Sequence, residues 1–263
     1  MRRVVAVALF AGLLASMGAA VAGQPVPPAG PAKAARAAAT AARPLAGKVV
    51  VVDPGHQLGN HNYPSQINRQ VWMGDGTKAC NTTGTSTDAG YPEATFTWQV
   101  ARQVKRRLEY LGARVIMTRH TNREDRWGPC VNVRGRTGNG RADLEVSIHG
   151  DGTYAAGARG FHVIYASNLR PTRDTFRASR RYAIATRNGL TRAGFTRSTY
   201  VGGGTGLDVR HDLGTLNLSN KPTCMVELGN MRNPVDARLM TSRHGRHRYA
   251  LALVAGMRGF LHR

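Results

Sequence analysis

Acidic side chains are scarce in this chain. Its 263 residues carry 15 Asp and Glu against 37 Lys and Arg, a formal charge of +22, and most of the excess is arginine. In a cytosolic protein that balance would point to nucleic acid. The N-terminus excludes that partner: Arg2-Arg3, the apolar run from Val4 to Leu14 and the small-residue site Ala20-Val21-Ala22 have the layout of a secretory signal peptide over residues 1–22. Export leaves anionic cell-wall polymers or lipid headgroups for the charge to meet, although a genome rich in G and C would produce the same arginine bias with no partner at all. Long apolar runs are lacking too. Val4 to Leu14 is too short to span a bilayer comfortably and no later stretch approaches that length, so no membrane span is expected. No Cys follows the cleavage site, which argues against a lipid anchor. Large apolar side chains are nearly absent from residues 23–46, an Ala/Pro-rich stretch that cannot bury enough surface to order itself and is expected to be a linker or disordered arm. Residues 47–263 are long enough to close one full core.

Cysteine is rare, with three in the whole chain. In an exported protein that suggests one disulfide and one leftover thiol. Cys224 lies in the apolar run Thr223-Cys224-Met225-Val226 and reads as a small buried core residue. Cys80 and Cys130 both lie in Gly/Asn/Thr-rich loop sequence and are predicted to pair. Neither has a second Cys or a His at finger-like spacing, so they are not expected to bind metal. The loop Gly202-Gly203-Gly204-Thr205-Gly206 lacks the Lys-Ser/Thr of a phosphate cradle and reads as a flexible rim.

The chain is organised around Lys48-Val49-Val50-Val51-Val52-Asp53-Pro54-Gly55-His56. Four valines predict a strand buried on both faces, which Asp-Pro-Gly ends abruptly, so that His56 is held at the carboxyl end of a central strand, where open α/β sheets place their chemistry. Leu144-Glu145-Val146-Ser147-Ile148-His149-Gly150-Asp151 repeats the pattern, and two histidines at two strand ends suggest one shared metal site. Between them, Gln57 to Tyr91 shows little periodicity and reads as a functional loop, one wall of a cleft. A helix opens at Tyr91-Pro92-Glu93, with Phe96, Val100, Val104, Leu108 and Leu111 inward and Gly112 as its stop. Arg114 to Thr118 is then a strand parallel to the first. Further along, Gly160 to Ala166 reads as a strand with His162 structural, Thr172 to Ala193 as a helix, Thr223 to Leu228 as the last core strand and Arg248 to Leu261 as an amphipathic helix. Glu227 lies in apolar company near the end of that last strand, where a carboxylate needs a partner or a task.

Two His and one carboxylate are the ligands of a catalytic zinc that keeps its fourth position open. Spacing alone leaves the third ligand open among Glu93, Glu145 and Glu227. Taken together, Val-Val-Asp-Pro-Gly-His, the Glu that opens the next helix, the segment Ala142 to Asp151 and the segment Val226-Glu227-Leu228-Gly229-Asn230 to Asp236 resemble the zinc-dependent N-acetylmuramoyl-L-alanine amidases of the type 3 amidase family. The resemblance runs from about Lys48 to the C-terminus. It implies a three-layer α/β/α sandwich with a mostly parallel twisted sheet, His56, Glu93 and His149 as ligands of one zinc ion per chain, and Glu227 as catalytic base. Arg134 matches a family arginine and is assigned a structural role. The family's Gly-Gly after the first His is Gln57-Leu58 here. The implied reaction is hydrolysis of the amide between the lactyl group of N-acetylmuramic acid and L-alanine in peptidoglycan, by a secreted monomer acting in the cell wall. Another exported zinc peptidase or deacetylase, or an inactive wall-binding homologue, are the alternatives.

Overall fold

Side-chain alternation divides the chemistry of this protein between the two faces of one sheet. The computed structural model describes residues 43–262. In it Val49–Pro54 (β1) is a central strand, paired in parallel with Arg114–Met117 (β4) on one side and Leu144–Asp151 (β5) on the other. Thr223–Asn230 (β8) continues the parallel series beside β5. His162–Ala166 (β6) pairs antiparallel with β8, and Leu207–Arg210 (β7) lies parallel to β6 at the edge. The order β4-β1-β5-β8-β6-β7 is thus mostly parallel, as the resemblance implies.

Successive side chains of a strand point to opposite faces. Val50, Val52, Leu144, Val146, Ile148, Cys224, Val226 and Leu228 turn to one face and join a single core with residues of Glu93–Tyr110 (α2), Arg173–Arg192 (α4) and Arg243–Leu261 (α7). Phe96, Val100, Val104 and Leu108 of α2, at the predicted spacing, are fully buried there; each such side chain contributes on the order of 1.5–3 kcal/mol relative to exposure. The helical cover of the sheet is unequal. All three long helices pack on this face, whereas the opposite face is covered by two short helices, Val131–Arg136 (α3) and Gly214–Asn217 (α5), and by the long loop after β1. That second face carries Asp53, Glu145, Ser147, His149 and Glu227, with Asp53 in register with Ser147 and His149 with Glu227.

Several elements escaped the sequence reading. The long loop contains a 3-10 turn at Leu58–Asn62, a short helix Pro64–Asn68 (α1) and a hairpin of Gln70–Trp72 (β2) with Thr77–Ala79 (β3). Pieces this short show no hydrophobic period. Helix Pro234–Thr241 (α6) was missed although its start is written in the chain: the Asn233 side chain accepts from the N–H groups of Val235 and Asp236, and Pro234 holds the first turn. Ser242 caps α7 through the Gly245 N–H, so that helix begins at Arg243 rather than at Arg248. The glycine-rich loop carries a short 3-10 turn at Gly202–Gly204. The expected export signal and the expected arm as far as residue 42 lie outside the described residues. The boundary at 46 is corrected. Leu45 is fully buried and its N–H donates to the Leu111 carbonyl, because the one large apolar side chain of that stretch caps the core beside the end of α2. Cys80 and Cys130 are joined by a disulfide and Cys224 is a free, buried thiol. In a chain-entropy account, closing a 50-residue separation stabilises the fold by about 4 kcal/mol.

Glu145 is fully buried on the polar face, and neither carboxyl oxygen has a hydrogen-bond partner among the described residues. Burial, and then the negative charge of Asp53, push its carboxyl well above the usual carboxylate range. The folded state therefore keeps a proton that the unfolded chain releases near pH ~4.3. Stability from this group is complete below that value and falls as pH rises, by about 1.4 kcal/mol per unit, until the folded group also ionises. Asp53 acts in the opposite sense only at acid pH, since its folded carboxyl lies below the usual range. Denaturant titrations at pH 5 and pH 8 should accordingly show Glu145→Gln gaining on the wild type as pH rises, with a ceiling of about 4 kcal/mol set by about 1.4 kcal/mol per pH unit. A difference that does not change with pH would mean that Glu145 is ionised in the fold.

Candidate metal centre

The site lies at the carboxyl ends of β1, β5 and β8, where the polar face meets the start of α2. His56 follows β1 through Gly55. Its φ of 57° makes it the one non-glycine residue in the left-handed region among the described residues, a conformation that costs on the order of 1–3 kcal/mol and persists only when its surroundings impose it. Here the His56 carbonyl accepts from Arg134 Nη2 at 2.8 Å, and Nδ1 lies 3.0 Å from the Thr82 carbonyl. A carbonyl can only accept, so Nδ1 donates to it and Nε2 is the ring nitrogen that faces the site.

Glu93 is the first residue of α2. Its Oε1 lies 3.1 Å from His56 Nε2 and 3.0 Å from His149 Nδ1, and it accepts from the Gly150 N–H at 3.2 Å, while Oε2 accepts from the Thr85 N–H at 2.9 Å. Burial would raise this carboxyl, but the imidazoles of His56 and His149 and their hydrogen bonds hold it well below the usual carboxylate range, so Glu93 is an anion. Potential ligand atoms of His56, Glu93 and His149 all lie within 4.8 Å of one another, a set that could hold a metal ion. Two glycines leave room for it. A Cβ on Gly55 would come within 2.3 Å of His149 Cε1, and one on Gly84, at φ +80°, within 2.8 Å of Glu93 Oε2 and 2.9 Å of His56 Cδ2.

Beneath the triad two buried arginines fasten the turn after β1. Arg134 pairs with Asp53 at 2.5 Å and donates to the Pro54 and Pro129 carbonyls. Asp53 also accepts from Ser147 at 2.6 Å and from Thr118. Burial would raise the Asp53 carboxyl, yet Arg134 and these hydroxyls hold it low. Arg119 donates to the Pro54, Gly55 and Ala94 carbonyls, which joins the turn to the first residues of α2. Gln57, which stands where the family has glycine, is buried, caps the 3-10 turn through the Leu58 N–H and accepts from the Arg123 N–H at 3.2 Å.

Glu227 lies beside His149 in register and lines, with the triad, a cavity of about 370 Å³. Its Oε2 is buried without a hydrogen-bond partner among the described residues. Burial first, then the charges of Glu93 and Asp151, push its carboxyl well above the usual range, with Arg210 opposing. Asp151, on the same cavity wall, accepts from the Tyr200 hydroxyl at 2.8 Å.

The structure thus brings His56, Glu93 and His149 together and places Glu227 in the same cavity. It sets Glu145 apart, four residues before His149 on the same strand. His162 neighbours Glu227 on β6 but does not line the cavity; it is buried edge-on to the Tyr200 ring, 6.0 Å between centroids. The partners that position the triad, Thr82, Gly84, Thr85 and Gly150, went unassigned in the sequence reading. Three of them act through backbone groups, which every residue type offers, so the sequence carries no signal for them.

Over residues 50–258 the chain matches a family profile described as N-acetylmuramoyl-L-alanine amidase. It is 43% identical over 221 residues to the N-acetylmuramoyl-L-alanine amidase Rv3717 of Mycobacterium tuberculosis, covering 82% of this chain and 88% of that relative. The crystal structure of the N-acetylmuramyl-L-alanine amidase Ami1 from Mycobacterium smegmatis superposes with a TM-score of 0.76 at 42% identity, covering 83% of this chain and 98% of that one. The apo form of Ami1 from Mycobacterium abscessus gives the same TM-score of 0.76 at 44% identity, over 82% and 99% of the two chains.

Proposed function

Since the chain belongs to the N-acetylmuramoyl-L-alanine amidase family, we propose that His56, Glu93 and His149 hold one zinc ion and that Glu227 is the catalytic base of its reaction. The protein is an N-acetylmuramoyl-L-alanine amidase, which hydrolyses the amide between the lactyl group of N-acetylmuramic acid and L-alanine in peptidoglycan. The observation that carries the metal assignment is Glu93 Oε1 held between two imidazole nitrogens at 3.0 and 3.1 Å. Tetrahedral ligands with bonds of about 2.0–2.1 Å lie about 3.3 Å apart, a spacing close to these two distances. When bound, zinc supplies polarisation of the scissile carbonyl and acidifies water enough for a weak base to deprotonate it near neutrality.

The remaining steps belong to the protein's own residues. Glu227 takes the proton from the attacking water and returns it to the nitrogen of L-alanine as the amide breaks. The burial and neighbouring charges that raise its proton affinity suit it to both transfers, because a carboxyl of ordinary acidity would be a poor donor to an amine. Thr82, Thr85 and Gly150 orient the ligands, and the Arg134–Asp53 pair holds the turn that carries His56.

Digestion of purified sacculi with zinc-loaded protein tests the whole reading. Mass spectrometry should find stem peptides with a free L-alanine amine and glycan strands that keep the lactyl carboxylate. Release of acetate, or of a C-terminal amino acid, would contradict it. The proposal extends to place. Residues 1–22 read as an export signal, no described helix is long and apolar enough to cross a membrane, and the arginine excess suits anionic wall polymers. Fractionation of a producing culture should find the protein with the wall or the medium; recovery from the cytosol alone would overturn export.

A further inference from the structure

The cavity that holds the candidate ligands contains two cations among the described residues, Lys78 and Arg134. Arg134 is already committed: Nε, Nη1 and Nη2 donate to Pro129, to Asp53 and Pro54, and to His56. Lys78 is not. It lies half-buried on β3 and its ammonium donates to the backbone carbonyl of Asp212 at 2.5 Å. An ammonium has three N–H donors, so two remain. The nearest candidate counter-ion is occupied elsewhere, because the Asp212 carboxylate takes a two-pronged pair from Arg210 at 2.8 and 2.6 Å. Among the described residues Lys78 forms no ion pair. Burial pushes its ammonium below the ordinary lysine range; the Asp212 charge opposes this only in part, and Arg210 adds to it. A partly desolvated cation with spare donors on a cavity wall costs free energy that an incoming anion would recover.

We infer that Lys78 is a specificity residue that binds the free carboxylate of the amino acid following L-alanine in the stem peptide. The inference rests on the amidase reading above. With the scissile carbonyl at the triad, the carboxyl of N-acetylmuramic acid is consumed in the amide and L-alanine brings only a methyl group. The next residue, an isoglutamate joined through its side-chain carboxyl, leaves its α-carboxyl as the first anion along the stem unless it is amidated. Two residues reach about 7 Å, a length that fits a cavity of about 370 Å³. Arg134 has its donors engaged, and the acidic groups Glu93 and Asp151 on the walls repel a carboxylate, so Lys78 is the position left to receive one. Leu213, Met225 and Val131 on the same walls offer apolar contact to the methyl and methylenes on the way.

Two disaccharide peptides that differ in one group test this: N-acetylglucosaminyl-N-acetylmuramoyl-L-alanyl-D-isoglutamate with its side-chain carboxyl closed as the methylamide, and the isoglutamine counterpart closed in the same way. The zinc-loaded wild type should favour the acid in kcat/KM by roughly tenfold, the low end of what a charge-assisted hydrogen bond supplies. Lys78→Met should bring the acid-to-amide ratio close to one, and Lys78→Arg should keep most of it. A merely structural lysine cannot move this ratio, since misfolding or metal loss lowers both rates together. The inference is overturned if the wild type shows no preference, or if Lys78→Met keeps it. Cleavage of neither peptide, and of no amide in sacculi, would instead overturn the amidase reading itself.

Discussion

Glu227→Ala, purified and loaded with zinc, is expected to keep its metal and to lose peptidoglycan hydrolysis by at least about a hundredfold, the lower end of what a general base contributes. The two halves of this result follow from different parts of the structure. Metal is retained because Glu227 is not one of the three clustered side chains. Turnover is lost because the cavity then offers Asp151 as its remaining carboxylate outside the triad, and that group is already engaged by the Tyr200 hydroxyl and the Gly152 N–H. Folding should not suffer, since Glu227 Oε2 makes no hydrogen bond that the variant would leave broken. Removing a buried carboxyl that is repelled by Glu93 and Asp151 should if anything stabilise the protein. Elemental analysis and release of L-alanyl amines from sacculi check both halves. An active Glu227→Ala protein would make Glu227 a buried structural carboxylate.

His56→Ala and His149→Ala should fail at an earlier point. Each leaves two protein ligands where a catalytic zinc needs three, so zinc should be absent after dialysis and activity should be undetectable. The two variants should differ in stability. His56 occupies a left-handed conformation that alanine adopts only under strain, and its Nδ1 contact with Thr82 is one tie between β1 and the long loop. His149 lies within β5 in ordinary negative-φ backbone, although the register against β8 shifts just after it. Without metal, then, His56→Ala should unfold at lower temperature than His149→Ala. Full zinc occupancy in either variant would remove that histidine from the ligand set. Chelation of the wild-type protein followed by zinc titration gives the matching control, with activity returning at one equivalent per chain.

Some of this was legible because it depends on short-range pattern. Consecutive valines and a helical period from Phe96 to Leu108 each report on their own neighbourhood, and the structure places strand and helix there; the Asp-Pro-Gly stop comes later than expected, because Asp53 and Pro54 still pair within β1 and the chain bends only at His56. The pairing of the two loop cysteines and the burial of Cys224 were legible for the same reason. Short elements were not. The hairpin β2–β3, the edge strand β7 and the four-residue helix α5 contain too few residues to show a period, and they exist because the rest of the fold holds them.

The sequence by itself determined which residues could do chemistry at the strand ends, and through its resemblance to a known family it named the reaction. Only the tertiary structure decided how those residues meet. Glu93, Glu145 and Glu227 are equivalent candidates as letters. Strand pleat and register separate them: Glu227 comes beside His149, Glu145 is left buried four residues back along the same strand, and the packing of α2 on β1 delivers Glu93 between two imidazoles. The ties that hold this arrangement, from Thr82, Thr85 and Gly150, run through main-chain groups common to every residue, and an ammonium at Lys78 without a counter-ion is a fact about neighbours 134 positions away in the chain. Such relations follow from distances in the folded chain, and adjacent residues in a sequence do not encode them.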